Sequence, residues 1–364
     1  MILDKVKECS LLHRGGEADI YAIVAEGSEY VLKWYGKGTR YDSSTIQNLE
    51  RLNLPGLYRI RESGVRENVP YLVYDYIHGV NSADVLPMPV PVALGLLRLV
   101  SQTLNTLEKN GIHHGDLSPT NVILCLADKE LRPVLIDCGI EGPGTLAFAA
   151  PERFQGKSAS TQSDLFGLGM LLFRWIAGRD LLESGDFDLL ASRSASVDQI
   201  DVTETLYGMG CCTAQELSAL APLWKSLLRA DPENRAEDFE ELDELLEIAL
   251  TSIGIGAVSL STALQNFASR ILDEKSGLKF PGDFANGEKT AIPYRKRALQ
   301  PKKSKQKFIV LGLFGFILVL ITMWLVFGTK SPDIDATGNL LLEKSRSLDS
   351  VEMNEENGTL RGMP

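Results

Sequence analysis

His114-Gly115-Asp116-Leu117-Ser118-Pro119-Thr120-Asn121-Val122-Ile123-Leu124 decides how this chain is read. Asp116 and Asn121 stand five positions apart in a polar loop that runs into an apolar strand. At that spacing the two side chains can approach the same phosphoryl group. The carboxylate can take a hydroxyl proton, and the amide oxygen can bind a metal ion. The loop follows an amphipathic stretch, roughly 92 to 110, whose apolar spacing predicts a helix. Fifteen or so residues downstream comes Val134-Leu135-Ile136-Asp137-Cys138-Gly139. This is an apolar strand ending in Asp-x-Gly, which presents a carboxylate where the chain turns sharply and suits a magnesium ion bridging phosphates.

These two segments resemble the His-Arg-Asp…Asn catalytic loop and the Asp-Phe-Gly motif of protein kinases. The resemblance implies Asp116 as the base and Asn121 and Asp137 as Mg²⁺ ligands, with ATP as the bound nucleotide. Gly115 replaces the arginine that grips an activation-loop phosphate in many kinases. Ser118 replaces a lysine that usually touches the transferring phosphate, and Cys138 replaces Phe. His-Gly-Asp-Leu-Ser-Pro is also similar to small-molecule kinases, so the loop alone leaves the class open.

The downstream chain narrows it. Gly144-Thr145-Leu146-Ala147-Phe148-Ala149-Ala150-Pro151-Glu152 matches the protein-kinase pattern Gly-Thr-x-x-Tyr-x-Ala-Pro-Glu. Ser163-Asp164-Leu165-Phe166-Gly167 resembles the start of the large C-lobe helix, where Asp164 would fasten the catalytic loop by its backbone. Leu228-Arg229-Ala230-Asp231-Pro232-Glu233-Asn234-Arg235 resembles the closing motif, and a Glu152–Arg235 ion pair is predicted. By resemblance to Ser/Thr kinases, Thr145 would contact the catalytic aspartate, which favours Ser/Thr over Tyr acceptors. Only Ile140 to Pro143 separate Gly139 from Gly144, which implies a short activation segment set without phosphorylation.

Upstream, LLHRGGEADIYAIVAE and YVLKWYG, starting at Leu11 and Tyr30, are rich in β-branched and aromatic residues and read as strands. A glycine-containing turn between strands can cradle phosphate oxygens with its backbone N–H groups. Lys33, in an alternating strand, needs an anionic partner if it faces inward. By resemblance to the glycine-rich loop and Val-Ala-Ile-Lys strand, Gly15, Gly16 and Ala18 cover the nucleotide, with His13 in the first glycine position. Lys33 then pairs with its phosphates and with a helix glutamate. Glu50 is the candidate for that glutamate, with Gln47 in its place if the alignment shifts. Tyr71 to Gly79 reads as a strand ending at the hinge, where backbone groups of Asp75 and Ile77 would bond adenine and Tyr74 would be a bulky gatekeeper.

Composition bounds the rest. The net charge of −11 argues against general nucleic-acid binding. Five cysteines without C-x-x-C spacing fit reduced thiols in a cytosolic domain rather than a disulfide scaffold. No N-terminal secretory pattern is present. Residues 308–327 form a charge-free apolar run whose twenty residues would span about 30 Å as a helix, the thickness of a bilayer core. Arg295, Lys296, Arg297, Lys302, Lys303, Lys305 and Lys307 precede it, so the positive-inside rule places the N-terminal part in the cytoplasm.

The expected architecture is α+β: a bilobal protein-kinase fold over 1–250, with an N-lobe to about 78, plus one transmembrane helix. A juxtamembrane linker over 251–307 and a polar tail over 328–364, outside the bacterial inner membrane, complete it. The resemblance implies a Ser/Thr protein kinase of the bacterial eukaryotic-like type, acting on protein substrates and able to form a homodimer. The rival reading is a membrane-tethered pseudokinase scaffold, for which His13, Ser118 and Cys138 speak.

Overall fold

A computed structural model describes residues 1–36, 43–127, 130–139 and 144–274, with backbone alone for 43, 126, 127, 130 and 274. The N-terminal part is a five-stranded antiparallel sheet in the order β1-β2-β3-β5-β4. Its strands are β1 (Val6–Arg14), β2 (Ala18–Ala25), β3 (Ser28–Tyr35), β4 (Ile60–Arg66) and β5 (Val69–Asp75), with α1 (Ser43–Arg51) inserted between β3 and β4. Two hairpins are closed by two-residue turns, Glu26-Gly27 and Glu67-Asn68, with positive φ at all four residues. That geometry matches the right-handed twist of the flanking strands.

Alternation along β3 and β5 assigns the faces. Leu32, Tyr71 and Val73 join Leu3, Cys9 and Ile23 in an outer cluster. Val31, Leu72 and Tyr74 face the main core with Ile46 and Leu49 of α1. Lys33, two residues beyond Val31, therefore shares the inner face, where a strand's period of two must put it.

The second part begins at β6 (Gly79–Asn81), which pairs with β7 (Val122–Ala127) and β8 (Glu130–Leu135) in a small antiparallel sheet. The rest is helical: α2 (Val90–Glu108), α3 (Pro151–Phe154), α4 (Thr161–Ala177), α5 (Phe187–Ala195), α6 (Val202–Met209), α7 (Ala214–Leu227), α8 (Phe239–Ser252) and α9 (Ala257–Glu274). In α4, residues from Leu165 to Phe173 are buried almost without interruption, the mark of a helix enclosed on all sides. A capping box between Ser160 and Ser163 starts it, and Gly178, at φ 73°, ends it. A strand-rich part carrying one helix and a largely helical part give the bilobal arrangement expected.

The linker expected from 251 is corrected for 257–274. That stretch is α9, which lies on α2 and β8 with Phe267, Ala268 and Ile271 buried. Its apolar residues Leu260, Leu264, Phe267 and Ile271 recur at helical spacing. Gly95 of α2 lets Leu260 approach closely, since a Cβ there would sit 2.7 Å from Leu260 Cδ1. Among the described residues no single helix is long and apolar enough to cross a membrane. Thr251 and Ser252, also expected in the linker, close α8, and 253–256 join it to α9. The apolar run 308–327, the expected linker from 275 onward and the tail lie outside the described residues.

Candidate active site

The catalytic loop is held from beneath by one buried carboxylate. Asp164, on the first turn of α4, accepts the backbone N–H of His114 at 2.7 Å and of Gly115 at 2.9 Å. Burial raises its pKa against these two bonds, so the N–H donors are what make a charge tolerable there. Gly115 supplies a positive φ of 77° that permits the bend. His114 Nδ1 accepts the Asp116 N–H at 3.2 Å, which leaves Nε2 as the protonated nitrogen, 3.0 Å from the Ile136 carbonyl. The imidazole thus ties the loop to the strand that delivers Asp137.

The Asp116 carboxylate is fixed on both oxygens. Oδ2 accepts from Asn121 Nδ2 at 2.8 Å and Oδ1 from the Thr145 backbone N–H at 2.5 Å. Asn121 Nδ2 also donates to the Asp116 carbonyl at 2.8 Å. With its nitrogen committed in this way, Asn121 turns its amide oxygen into a defined direction, as a metal ligand requires. Thr145 reaches the aspartate as expected, though by its backbone. Gly144 makes the approach possible: its φ is +69°, and a Cβ would stand 2.6 Å from Asp116 Oδ1. Gly144→Ala is expected to lower turnover by at least about tenfold, the cost of displacing a positioned catalytic group. Its melting temperature should fall by only a few degrees. Steady-state kinetics beside a thermal melt will check this.

Asp137 follows β8 in the left-handed region, at φ 59°, a backbone state that a short polar side chain tolerates better than most. The Ile136 N–H donates to the Asn121 carbonyl at 3.0 Å and the Gly139 N–H to the His114 carbonyl at 3.0 Å, so the two candidate metal ligands sit on stitched segments. Lys33 Nζ lies 2.9 Å from Asp137 Oδ1, with 7% and 22% of the side chains exposed. Burial would pull the lysine's pKa down. The Asp137 carboxylate reverses that, with Tyr35 and Glu17 adding to it, and Lys33 stays above its usual value. The Tyr35 ring lies 5.3 Å from Lys33 Nζ. Sequence reading overlooked Tyr35, although its place two residues along the same strand was the available signal. Cys138 is buried, and burial pushes its thiol pKa well up, so it serves as a small packing residue.

The structure thus brings Lys33, Asp116, Asn121 and Asp137 together. Gly15, Gly16 and Ala18 form a turn at the same end of the sheet, closed by the Gly15 N–H on the Ala18 carbonyl at 3.0 Å. A Cβ on Gly15 would meet that carbonyl oxygen at 2.7 Å. Asp75 and Ile77 lie at the link between the lobes. The Asp75 N–H is taken by the Arg59 carbonyl at 3.1 Å, and its carboxylate by Arg61 Nε at 2.7 Å. Tyr74 is buried as a gatekeeper must be.

Glu50 is a correction. It lines a shallow depression with Gln47, Arg61 and Glu62 on the β4 side of α1, and no Lys33–Glu50 ion pair occurs among the described residues. The helix rotates to bury Ile46 and Leu49, and it is Thr45 that lies against Gly139.

Below the site, Arg235 and Glu152 form the predicted pair, bidentate at 2.7 and 2.9 Å, with side chains 0% and 7% exposed. Arg235 also donates to the carbonyls of Arg229, Ala230 and Gln162, and its guanidinium lies 5.0 Å from the centre of the Phe166 ring. Arg153, beside Glu152, is buried too and donates to the Lys157 carbonyl at 2.7 Å. Burial lowers its pKa, against the fields of Asp164, Glu152 and Asp116.

Residues 8–247 match the family model described as the protein kinase domain. The chain belongs to the protein kinase family. The serine/threonine-protein kinase PkaA of Streptomyces coelicolor is 28% identical over 274 residues, covering 68% of this chain and 47% of that protein. The serine/threonine-protein kinase PknB of Mycobacterium tuberculosis is 26% identical over 217 residues, covering 54% of this chain and 33% of that protein. The chain therefore spans half or less of the length of these kinases. The kinase domain of Mycobacterium tuberculosis PknI shares the fold with a TM-score of 0.52 at 19% identity, over 67% of this chain and 96% of that domain. These matches agree with a bilobal kinase fold of bacterial Ser/Thr type.

Proposed function

We propose that this protein kinase transfers the γ-phosphoryl group of ATP to serine or threonine hydroxyls of proteins. The proposal includes anchoring of the catalytic domain to the cytoplasmic face of a bacterial inner membrane by one helix over 308–327. The convergence of Lys33, Asp116, Asn121 and Asp137 on one cleft carries the reading.

The donor set fits Mg·ATP. Asp137 and the Asn121 amide oxygen are hard oxygen ligands of the kind magnesium takes. Lys33 is a buried cation for the phosphates, and the Gly15–Ala18 turn brings backbone close without side-chain bulk. Asp75 and Ile77 offer backbone groups to the adenine. Bound magnesium supplies neutralisation of the phosphate charge. Asp116, held by Asn121 and Thr145, presents its remaining lone pairs to an acceptor hydroxyl. The hydroxyl oxygen bonds to the γ-phosphorus, the bond to the bridging oxygen breaks, and the hydroxyl proton passes to Asp116. Positioning and charge do most of the work in such a transfer.

Two measurements test the reading. Saturating Mg·ATP is expected to raise the melting temperature, because a ligand of the native state at about 100 times its Kd adds about 2.7 kcal/mol. Labelled ATP should transfer phosphate to the protein itself or to a generic protein acceptor. Stabilisation without transfer favours the scaffold reading, and neither effect would overturn both. Protease accessibility of the kinase domain in inside-out against right-side-out vesicles tests the topology.

A further inference from the structure

Two of the five cysteines are neighbours in the chain. Cys9, Cys125 and Cys138 lie apart in β1, β7 and the Asp137–Gly139 turn, whereas Cys211 and Cys212 belong to the short link between α6 and α7. Both ends of that link are fixed. Gly210, at φ 66°, closes α6 with its N–H on the Tyr207 carbonyl. Thr213 opens α7 with a capping box: its Oγ1 accepts the Glu216 N–H at 3.2 Å, and Glu216 Oε2 accepts the Thr213 N–H at 2.8 Å. Two residues held between two caps have little room to swing apart.

The two thiols differ in exposure. Cys211 is exposed, and its Sγ donates at 3.6 Å to the Leu206 carbonyl, one of the last four carbonyls of α6. Cys212 is half-buried against the main core, and its side chain interacts with that of Cys211. Burial first, and then the Cys211 thiol beside it, push the Cys212 thiol up to about 12, so it keeps its proton at neutral pH. A sulfur that an oxidant can reach thus stands beside a second, protonated sulfur.

We propose that Cys211 and Cys212 form a redox site, which a hydroperoxide closes to a vicinal disulfide. The Cys211 thiolate attacks the terminal peroxide oxygen. The O–O bond breaks, the leaving oxygen takes up a proton, and Cys211 becomes a sulfenic acid. The Cys212 sulfur then attacks the Cys211 sulfur. The S–O bond breaks, and the Cys212 proton leaves with the hydroxyl as water. Two thiols and one hydroperoxide give one disulfide, one alcohol (water from hydrogen peroxide) and one water. The sulfurs lose two electrons and the peroxide gains them. Adjacent Cα atoms lie about 3.8 Å apart, below the usual disulfide span of about 4.4–6.8 Å. The bond is therefore strained and readily reduced, the property of a transient disulfide in a reducing compartment. Closure also removes the S–H donor from the Leu206 carbonyl, which loosens the end of α6.

The test uses the full-length protein in detergent micelles, fully reduced and then treated with hydrogen peroxide. Remaining thiols are blocked with N-ethylmaleimide after unfolding, and the peptide that holds both cysteines is weighed. It is expected to be lighter by about 2 Da, two hydrogen atoms, and to carry no maleimide. Reduced glutathione should restore both maleimide sites. Cys9 and Cys138, both buried, should take maleimide in full. In Cys212→Ser the sulfenic acid has no partner, so dimedone should label Cys211. In Cys211→Ser, Cys212 should remain a thiol. Thermal melts show that each variant is folded.

Maleimide on both cysteines of the treated wild type overturns the proposal. So does a gain of about 32 Da at Cys211, the mark of a sulfinic acid that no neighbouring thiol intercepted. A disulfide to Cys125 or to a second chain overturns it as well. So does dimedone on Cys212 in Cys211→Ser, or its absence from Cys211 in Cys212→Ser.

Discussion

Asp116→Asn will cut phosphate transfer by about 10² to 10⁴-fold, the contribution typical of a positioned general base. The variant loses the carboxylate that would, on the proposed reading, take the acceptor proton. It also loses geometry. Both oxygens of Asp116 receive N–H donors, from Asn121 and from the Thr145 backbone. A carboxamide must turn its own NH₂ toward one of them, which leaves a donor facing a donor. The expected stability loss is about 1–3 kcal/mol, the cost of one unsatisfied polar contact. Mg·ATP binding should persist, because Lys33 and Asp137 are untouched. Initial rates with labelled ATP, set beside a nucleotide titration, separate the two effects. A variant that keeps a tenth or more of wild-type transfer would remove Asp116 from its assigned role.

The second large effect falls on stability. Glu152→Ala leaves the Arg235 guanidinium, 0% exposed, without its bidentate partner. Breaking a buried pair from one side costs about 3–5 kcal/mol. For a domain of this size that lowers the melting temperature by about 6–20 °C. Replacing both partners by methionine removes the stranded charge and should recover part of the loss. The three carbonyls that Arg235 also serves will limit the recovery. A single variant melting within a degree of wild type would show the pair to be neutral.

The residues whose chemistry fixes their spacing were legible in the sequence. Asp116, Asn121 and Asp137 occur in short segments where loop length and strand direction leave little freedom, and the structure stitches those segments together as expected. The Glu152–Arg235 pair and the Asp164 anchor were legible for the same reason. Glu50 was not, because its usefulness depends on the rotation of a short helix about its axis. Burial of Ile46 and Leu49 settles that rotation, and it turns the carboxylate away. Helix α9 was missed because serines dilute its apolar positions and Gly254 and Gly256 stand just before it. Its register becomes plain only against the surface of α2 that it covers, where Gly95 admits Leu260.

The buried gatekeeper has a pharmacological consequence. Tyr74 packs edge-on against Tyr58, with ring centres 5.2 Å apart and planes at 87°, and both rings are enclosed. Two phenols thus wall off the space behind the proposed nucleobase position. Inhibitors that extend a substituent into that space are excluded by shape, whatever their hinge contacts. The same wall offers a genetic handle. Shaving Tyr74 to alanine opens a void beside Tyr58, into which a base-modified nucleotide analogue fits and from which kinases with an intact bulky gatekeeper exclude it. On the proposed function, such a variant would accept a base-modified nucleotide that the wild type excludes.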